Sequence, residues 1–279
     1  MDIAIKLYMK SLLNNLDKLL YERLIKALMF SSRLGRKSTL GYADSGINFD
    51  HIYQNKAKGY NKFGVIIDRI LLSLPACKAT RERFITIKNI LEDEVRRNIS
   101  KNRKTRIVDL ASGPARYLVQ FIPEKSNQIE SLCLDLDSRA LNFGKKISGD
   151  SRPILYRKWN ALRLGKHLKN FSVKREWKPN VIMASGFYEY QPDDVVQAHF
   201  SKTKEYLEHD GLFLGVLQFK NPNRKLIEKV GIQKSGKRWV LFYRSPETLH
   251  HWMVKAGYSD IRVFSDKWKH YIFCLGRKP

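Results

Sequence analysis

Residues 106–117 read RIVDLASGPARY and combine a carboxylate with a turn that has few side chains. An apolar pair ends at Asp109, and small residues follow until Arg116 opens a second apolar run. A dinucleotide-binding loop, G-x-G-x-x-G, would bring three glycines here, but residues 112–117 contain only Gly113. A carboxylate at a strand tip would repel a pyrophosphate on the loop. It suits a ligand that carries an ammonium group.

The next three predicted strands end in residues of related chemistry. Asp135 closes LCLDLDS, where a carboxylate can accept hydrogen bonds from both hydroxyls of a ribose, and Asp137 is the second candidate for that role. Asn160, in KWNAL, offers an amide donor and an acceptor that match an adenine edge. Strand four ends in ASGFYEY, whose small residues allow a ligand to approach closely. Because open parallel sheets bind ligands at the carboxyl ends of their strands, these residues predict one nucleoside site.

The elements that would position this site alternate along the chain after residue 105. Alternating strands and helices predict a mostly parallel sheet that is covered on both faces. The last two strands are joined only by SDKWK, which is too short for a parallel crossover, so they must pair antiparallel. The predicted strands cover 107–110, 131–134, 154–157, 180–184, 211–218, 259–264 and 270–276. The predicted helices between them cover 116–122, 138–147, 193–208 and 246–256.

The chain before the sheet is predicted to be mainly helical. Residues 3–30 repeat apolar side chains at three- and four-residue steps. They predict one amphipathic helix, which either packs on the core or lies on a membrane surface. Residues 31–50 are rich in Ser, Gly and Asp and predict a linker. Helical patterns follow over 51–75, which Pro75 is expected to close, and over 79–97.

Four sequence segments carry a resemblance to a known family. VDLASGPARY, LDLDS, WNAL and VIMASGFYEY resemble the successive motifs of the class I S-adenosylmethionine-dependent methyltransferases. The resemblance covers residues 80–279 and implies an α/β fold, a Rossmann-like, mostly parallel seven-stranded sheet with a C-terminal antiparallel hairpin. Upstream, SGINFDHIYQNKAKGYNKFGVIIDRILLS resembles the helical lead-in of a group of uncharacterised bacterial methyltransferases. We expect a helical extension or lid over residues 1–78 and a methyltransferase domain over residues 79–279.

The resemblance implies roles in binding S-adenosylmethionine. Asp109 would face the methionine ammonium, and Gly113 would let the backbone approach the methionine part. The free N–H groups of the following helix would favour the methionine carboxylate, and Arg116 would either add to that or face solvent. Asp135 would bind the ribose. The complete predicted set is Asp109, Ala111, Ser112, Gly113, Ala115, Arg116, Asp135, Leu136, Asp137, Asn160, Ala161, Ser185 and Gly186.

The sequence departs from the family pattern at four positions. Ala111 and Ala115 stand where the family usually has glycine, and Asn160 and Asn180 stand where acids are common. These departures leave open a protein that binds the cofactor without catalysing methyl transfer. A nicotinamide-dependent oxidoreductase is the other alternative, against which the single glycine and the terminal hairpin argue.

The segment after strand four bears on the acceptor. Tyr188 and Glu189 are weak candidates for a general base, although aromatic residues there equally suit packing. Tyr53 and Tyr60 of the lead-in could cover the cofactor. Strand four is followed neither by an Asn/Asp-Pro-Pro-aromatic turn nor by Pro-Cys, which disfavours methylation of adenine N6 and of cytosine C5.

Charge and composition indicate the class of partner. The 52 Lys and Arg residues exceed the 27 Asp and Glu residues, and the resulting net charge of +25 favours anionic partners. We therefore expect methyl transfer to an oxygen or nitrogen atom of an anionic small molecule or lipid. RNA is the alternative acceptor, since KNRKTR and QKSGKRW would suit it.

The three cysteines are isolated, which argues against a zinc cluster or a disulfide framework and fits a reducing cytoplasm. Cys133 and Cys274 lie in apolar runs and are expected to be buried thiols. No apolar run approaches the roughly 20 residues that a membrane span needs. We expect a cytoplasmic protein that binds no metal, with residues 3–30 as a candidate peripheral membrane contact.

Overall fold

The computed structural model describes residues 23–165, 168, 177–233 and 235–279. Most of the helix predicted over residues 3–30 lies outside the described residues, and the described part is helical to residue 31. The described helices before the sheet are α1 (residues 23–31), α2 (Arg33–Lys37), α3 (Gly46–Gln54), α4 (Lys62–Ser73) and α5 (Pro75–Ser100). None of the described helices is long and apolar enough to cross a bilayer.

The linker predicted over residues 31–50 is instead largely helical. Ser32 and Ser45 are N-caps, whose hydroxyls accept from the backbone of Gly35 in α2 and of Ile47 in α3. A π-helical turn, Ser38–Tyr42, lies between the two helices. Serine favours this role because its hydroxyl satisfies an N–H group that has no partner within the first helical turn. The composition that suggested a linker therefore belongs to helix starts.

Pro75 begins a helix rather than only ending one. It occupies the first turn of α5, where its missing N–H removes a donor that would have no helical partner. Leu74 lies between α4 and α5 and has an extended ψ of 147°. The expectation that Pro75 closes the preceding helix is thus only half of its role.

Seven strands form one sheet, as predicted. They are β1 (Thr105–Leu110), β2 (Ile129–Asp135), β3 (Ile154–Lys158), β4 (Val181–Ser185), β5 (Leu212–Gln218), β6 (Ser259–Ser265) and β7 (Tyr271–Arg277). Their order is β3-β2-β1-β4-β5-β7-β6. The first five strands are parallel, and β7 is antiparallel to both neighbours. The predicted hairpin is confirmed.

Helices cover both faces of the sheet. The helices that follow β1 along the chain are α6 (Arg116–Phe121), α7 (Ser138–Ser148), α8 (Asp193–Tyr206), α9 (Arg224–Val230) and α10 (Pro246–Lys255). Two buried clusters result, one containing Cys274 and the other Cys133, which confirms that both thiols are buried. Strands buried on both faces need apolar residues at every position, which explains their continuous apolar runs.

The strand order places the functional edge. The chain crosses from β1 to β2 on one side, whereas β4 pairs with β1 on the other side. The loops that leave β1 and β4 therefore diverge and open a crevice at the carboxyl edge of the sheet. Ligands of open α/β sheets bind at such a switch point.

Candidate active site

A cavity of about 290 Å³ lies at the carboxyl edge of β1, β2 and β4. Every residue of the predicted cofactor set lines this cavity except Asp109. The segment before the sheet supplies a further wall, which consists of Tyr42, Asp44, Ser45, Gly46, Phe49, Asp50 and Tyr53 from α3 and its approach, with Arg83 from α5. The sheet loops and the helical segment therefore form one site.

The loop after β1 has a backbone that suits glycine better than alanine. Ala111, Gly113 and Ala115 all have left-handed φ angles, of 54°, 55° and 51°. An alanine in this region costs about 1–2 kcal/mol. The loop is held by its neighbours: the N–H of Ser112 donates to the carbonyl of Leu134 at 3.1 Å. The two alanines are thus strained where the family usually has glycine.

Gly113 has a reason to be glycine that the sequence did not reveal. A Cβ on Gly113 would lie 2.9 Å from Cα of Gly46, at the start of α3. A Cβ on Gly46 would lie 2.7 Å from Cα of Gly113. The two glycines face each other and let α3 rest directly on the loop. A large side chain at Gly113 would therefore displace α3, rather than only closing the cavity.

Asp109 is fully buried beneath the cavity. The hydroxyl of Tyr117 donates to its Oδ2 at 2.6 Å, and no described group donates to its Oδ1. Burial raises the pKa of Asp109 to about 8, although the Tyr117 hydrogen bond lowers it and the charge of Asp135 raises it further. A buried carboxyl group with one unsatisfied oxygen suits a cationic partner.

Asp135 joins the loops that follow β1 and β2. Its Oδ2 accepts from the N–H of Gly113 at 2.8 Å, and its Oδ1 accepts from the N–H of Asp137 at 2.7 Å. Each carboxylate oxygen can still accept a second hydrogen bond. Burial raises the pKa of Asp135 against these two bonds, which lower it. Asp137 itself caps α7 by accepting from the N–H of Arg139 at 3.0 Å.

Only the NH₂ group of Asn160 is left for the adenine contact predicted from the sequence, because its side-chain oxygen is used within the protein. Its Oδ1 accepts from the N–H of Leu162 at 3.0 Å and so begins the 3₁₀ turn Ala161–Arg163. The amide NH₂ group remains as a donor for a ligand. Leu136 is 59% exposed at the rim of the cavity and presents apolar surface there.

Arg116 is committed to a protein partner. Its guanidinium pairs with the buried carboxylate of Asp50 in α3, with Nη2 and Oδ2 3.2 Å apart. Neither of its two predicted roles, binding the methionine carboxylate or facing solvent, matches this contact. The ion pair instead fastens the helical segment to the start of α6.

The two general-base candidates lie outside the cavity. The hydroxyl of Tyr188 is hydrogen-bonded to Nδ1 of His199 at 3.0 Å in the core. Glu189 is buried, and burial raises its pKa to about 7 against the lowering charges of Arg83 and Arg244. Because neither side chain lines the cavity, the structure gives no geometric support to the prediction that they act as bases.

The remaining predicted residues divide between wall and surface. Ser185 and Gly186 end β4 at the cavity, and Oγ of Ser185 is buried without a hydrogen-bond partner in the described chain. Tyr53 lines the cavity as expected of a covering residue. Tyr60 does not, because it is 56% exposed and stacks against Arg36, whose Cζ lies 4.5 Å from the ring centroid.

Arg83 is one of the cavity residues that the sequence analysis did not predict. It is 2% exposed and lies on the buried stripe of α5. Its spacing of four residues from the buried Ala79 and Ile87 was the available signal, because it put an arginine in the middle of an apolar helix face.

The chain is similar to a curated protein of Escherichia coli. It is 25% identical over 230 residues to the uncharacterized protein YnbC of Escherichia coli strain K12, and the match covers 81% of this chain. The chain spans only 38% of the length of that curated relative.

Two solved structures share the fold. One is a "possible exported protein" from Bordetella parapertussis, with a TM-score of 0.65, 17% identity, and coverage of 89% of this chain and 84% of that one. The other is the magnesium protoporphyrin IX methyltransferase of Synechocystis PCC 6803 with bound SAH. It has a TM-score of 0.56 at 8% identity and covers 84% of this chain and 95% of its own.

A family model described as "Putative methyltransferase" matches residues 2–278. The match includes the helical segment, the sheet and every residue that lines the cavity. The chain therefore belongs to this family of methyltransferases.

Proposed function

We propose that this protein transfers a methyl group from S-adenosylmethionine to an oxygen or nitrogen atom of an anionic small molecule or lipid. The observation that carries the proposal is the order of polar groups at one cavity. Asp109 is buried near the end of β1 without lining the cavity, whereas Asp135 at the end of β2 and Asn160 after β3 line it. This order matches an ammonium group, a ribose and an adenine.

The residues of the cavity fit this cofactor in their chemistry. The second acceptor sites on the Asp135 oxygens would receive the ribose hydroxyls, and the amide of Asn160 would donate to an adenine nitrogen. The unsatisfied Oδ1 of Asp109 would receive the ammonium. S-adenosylmethionine supplies a methyl group that its sulfonium already activates, so that the protein has mainly to position the reactants and exclude water.

Aromatic residues form part of the cavity wall. Phe49, Phe187, Tyr190 and Tyr42 line the cavity and offer flat apolar surfaces to an acceptor. A general base is needed only if the acceptor keeps its proton at working pH. The net charge of +25 would raise the local concentration of an anionic acceptor and speed its encounter with the site.

The basic runs that suggested RNA make contacts within the fold. Lys101 and Arg103 pair with Asp210, and Arg238 donates to the backbone carbonyls of Glu228 and Lys229. Both basic runs therefore contribute contacts that hold the fold together. They favour a small molecule or lipid over RNA as the acceptor.

A labelled methyl donor incubated with fractionated bacterial extract tests the acceptor class. We expect label in the small-molecule or lipid fraction, whereas label in RNA would replace the proposal by its alternative. Calorimetry with S-adenosylhomocysteine tests the cofactor. Asp135→Ala should weaken its binding about 10- to 150-fold, the value of a charged hydrogen-bond partner. Asp150→Ala, at an exposed acid, is the matched control and should bind normally.

Two other outcomes would each indicate a different function. Stabilisation by NAD and not by S-adenosylhomocysteine would indicate an oxidoreductase. Normal affinity for S-adenosylhomocysteine, with no label in any fraction, would indicate a protein that binds the cofactor without transferring its methyl group.

A further inference from the structure

Arg83 is a buried cation with unused hydrogen-bond donors at the wall of the cavity. Nη2 donates to the hydroxyl of Tyr53, whereas Nε and Nη1 have no hydrogen-bond partner among the described residues. Nη1 lies 3.2 Å from the position that a Cβ on Gly186 would occupy, at the end of β4. A guanidinium that is removed from water and left with free donors is costly unless an anion pairs with it.

Aromatic rings hold the guanidinium. The buried carboxyl group of Glu189 lies close enough for its charge to act on Arg83, but Nε and Nη1 have no hydrogen bond to it. The Cζ atom of Arg83 lies 4.6 Å from the ring centroid of Tyr271, 5.2 Å from that of Phe49 and 5.7 Å from that of Tyr53. Stacking of this kind orients the planar group and leaves its edge donors available. Nη1 keeps N–H groups that can donate to a carboxylate oxygen.

Asp109 lies in the same part of the site, and a bound ammonium group would favour its ionised form. Its Oδ1 is buried without a donor from any described residue. Two tyrosines connect it to Arg83: the hydroxyl of Tyr117 bonds to Asp109, and the rings of Tyr117 and Tyr53 meet edge-on with centroids 6.5 Å apart. Tyr53 then bonds to Arg83.

We propose that Arg83 and Asp109 together form a receptor for the zwitterionic amino-acid head of the cofactor, with Arg83 binding its carboxylate and Asp109 its ammonium. The inference rests on the proposed function. An anionic acceptor would satisfy Arg83 alone, whereas an α-amino acid satisfies both unpaired groups at once. Arg116, the carboxylate ligand considered from the sequence, is already paired with Asp50. The cofactor site therefore extends into α3 and α5, outside the strand-end motifs.

Calorimetry with three adenosine ligands tests the receptor. S-adenosylhomocysteine carries the whole head group, 5′-methylthioadenosine carries none of it, and 5′-(3-aminopropylthio)adenosine carries the ammonium alone. Arg83→Met should weaken binding of S-adenosylhomocysteine about 10- to 150-fold and leave the affinities for the other two ligands unchanged. Asp109→Asn should weaken the two ligands that carry an ammonium and spare 5′-methylthioadenosine.

The controls separate recognition from folding. Arg96→Met, on the same helix but 70% exposed, should bind all three ligands as the wild type does. Arg83→Lys keeps the charge without the planar fork and should recover only part of the affinity for S-adenosylhomocysteine.

Equal affinity of wild type and Arg83→Met for S-adenosylhomocysteine would overturn the proposal. Arg83 would then be a candidate for binding the acceptor instead of the cofactor. An equal loss for S-adenosylhomocysteine and 5′-methylthioadenosine would also overturn the proposal, because the substitution would then act on the whole site. If the wild type binds none of the three ligands, it is the proposed function itself that fails.

Discussion

The two edges of the sheet differ in whether their buried charged groups have hydrogen-bond partners in the described part of the chain. At the amino edge, Glu94 of α5 receives two hydrogen bonds from the guanidinium of Arg277, at 2.6 and 3.2 Å. At the carboxyl edge, Arg83 lies on the same face of the same helix, and two of its nitrogens have no partner in the described part of the chain. The charged group at one end of α5 is hydrogen-bonded to an opposite charge, whereas the one at the other end is near Glu189 without a hydrogen bond from Nε or Nη1 to it.

Two aspartates repeat the contrast in their pKa values. Burial raises the pKa of Asp210, at the amino edge, but hydrogen bonds from Lys101 and Arg97 outweigh it and lower the value to about 2. Burial raises the pKa of Asp109, at the carboxyl edge, to about 8. The same side chain is thus ionised where cations surround it and close to neutral where they do not. The charged groups at the amino edge pair with one another, whereas Arg83 and Asp109 at the carboxyl edge keep polar atoms without a hydrogen-bond partner among the described residues.

Matched substitutions of two arginines test this contrast most strongly. Arg277→Met would leave Glu94, which is 2% exposed, without its cation, and we expect a loss of about 3–5 kcal/mol in the free energy of unfolding. Arg83→Met breaks no hydrogen-bonded ion pair, although it removes a charge that lowers the pKa of the buried Glu189. The loss of its aromatic contacts is offset by the smaller cost of burying methionine. This variant should stay within about 1 kcal/mol of the wild type. Urea titration followed by circular dichroism measures both.

A double variant sharpens the result for the amino edge. Glu94→Leu combined with Arg277→Met removes both charges and should recover most of the stability that Arg277→Met loses, because a buried pair replaced as a unit is often neutral. Equal losses for the two single arginine variants would mean that the edges do not differ in the way described.

The pH dependence of stability separates the two aspartates. Between its unfolded pKa of 3.8 and its folded pKa of about 8, Asp109 keeps a proton in the folded state that the unfolded chain has released. Stability therefore falls as pH rises through this window. Asp210 has a folded pKa below its unfolded one, so its contribution is complete above pH 4 and is lost only in stronger acid.

Unfolding at pH 5.5 and pH 8.5 measures this difference. Relative to Asp109→Asn, the wild type should lose more than about 1.4 kcal/mol between the two conditions, the equivalent of one pKa unit. Relative to Asp210→Asn, its advantage should stay constant. An Asp109→Asn variant with the wild-type pH dependence would show that this carboxyl group does not titrate in the window.

The sheet was predictable from sequence because its signals are local. The five parallel strands each contain a short apolar run, and the short SDKWK connection permits only an antiparallel pair. Every strand boundary fell within two residues of its prediction. The residues at the strand ends were located for the same reason. A carboxylate that directly follows a buried strand must lie at the edge of the sheet.

The helical wall of the site was not predictable, because it depends on contacts between distant residues. Arg116 meets Asp50, which is 66 residues away, and Gly113 meets Gly46. Nothing near Ser45 indicates that the helix it caps would rest on the loop of β1. Arg83 was the exception, since its place on an apolar stripe could be read from the sequence alone.

Strain in the loop of β1 gives the smallest expected effect and concerns the carboxyl edge alone. Ala111 has a φ of 54°, where glycine avoids the clash of a Cβ, although glycine also loses more entropy on folding. We expect Ala111→Gly to raise the free energy of unfolding by about 0.5–1 kcal/mol. Ala198→Gly, at an exposed position within α8, is the control and should lower it by about 1 kcal/mol. If both variants lose stability equally, the loop is not strained, and the carboxyl edge differs from the amino edge only in its unpaired charges.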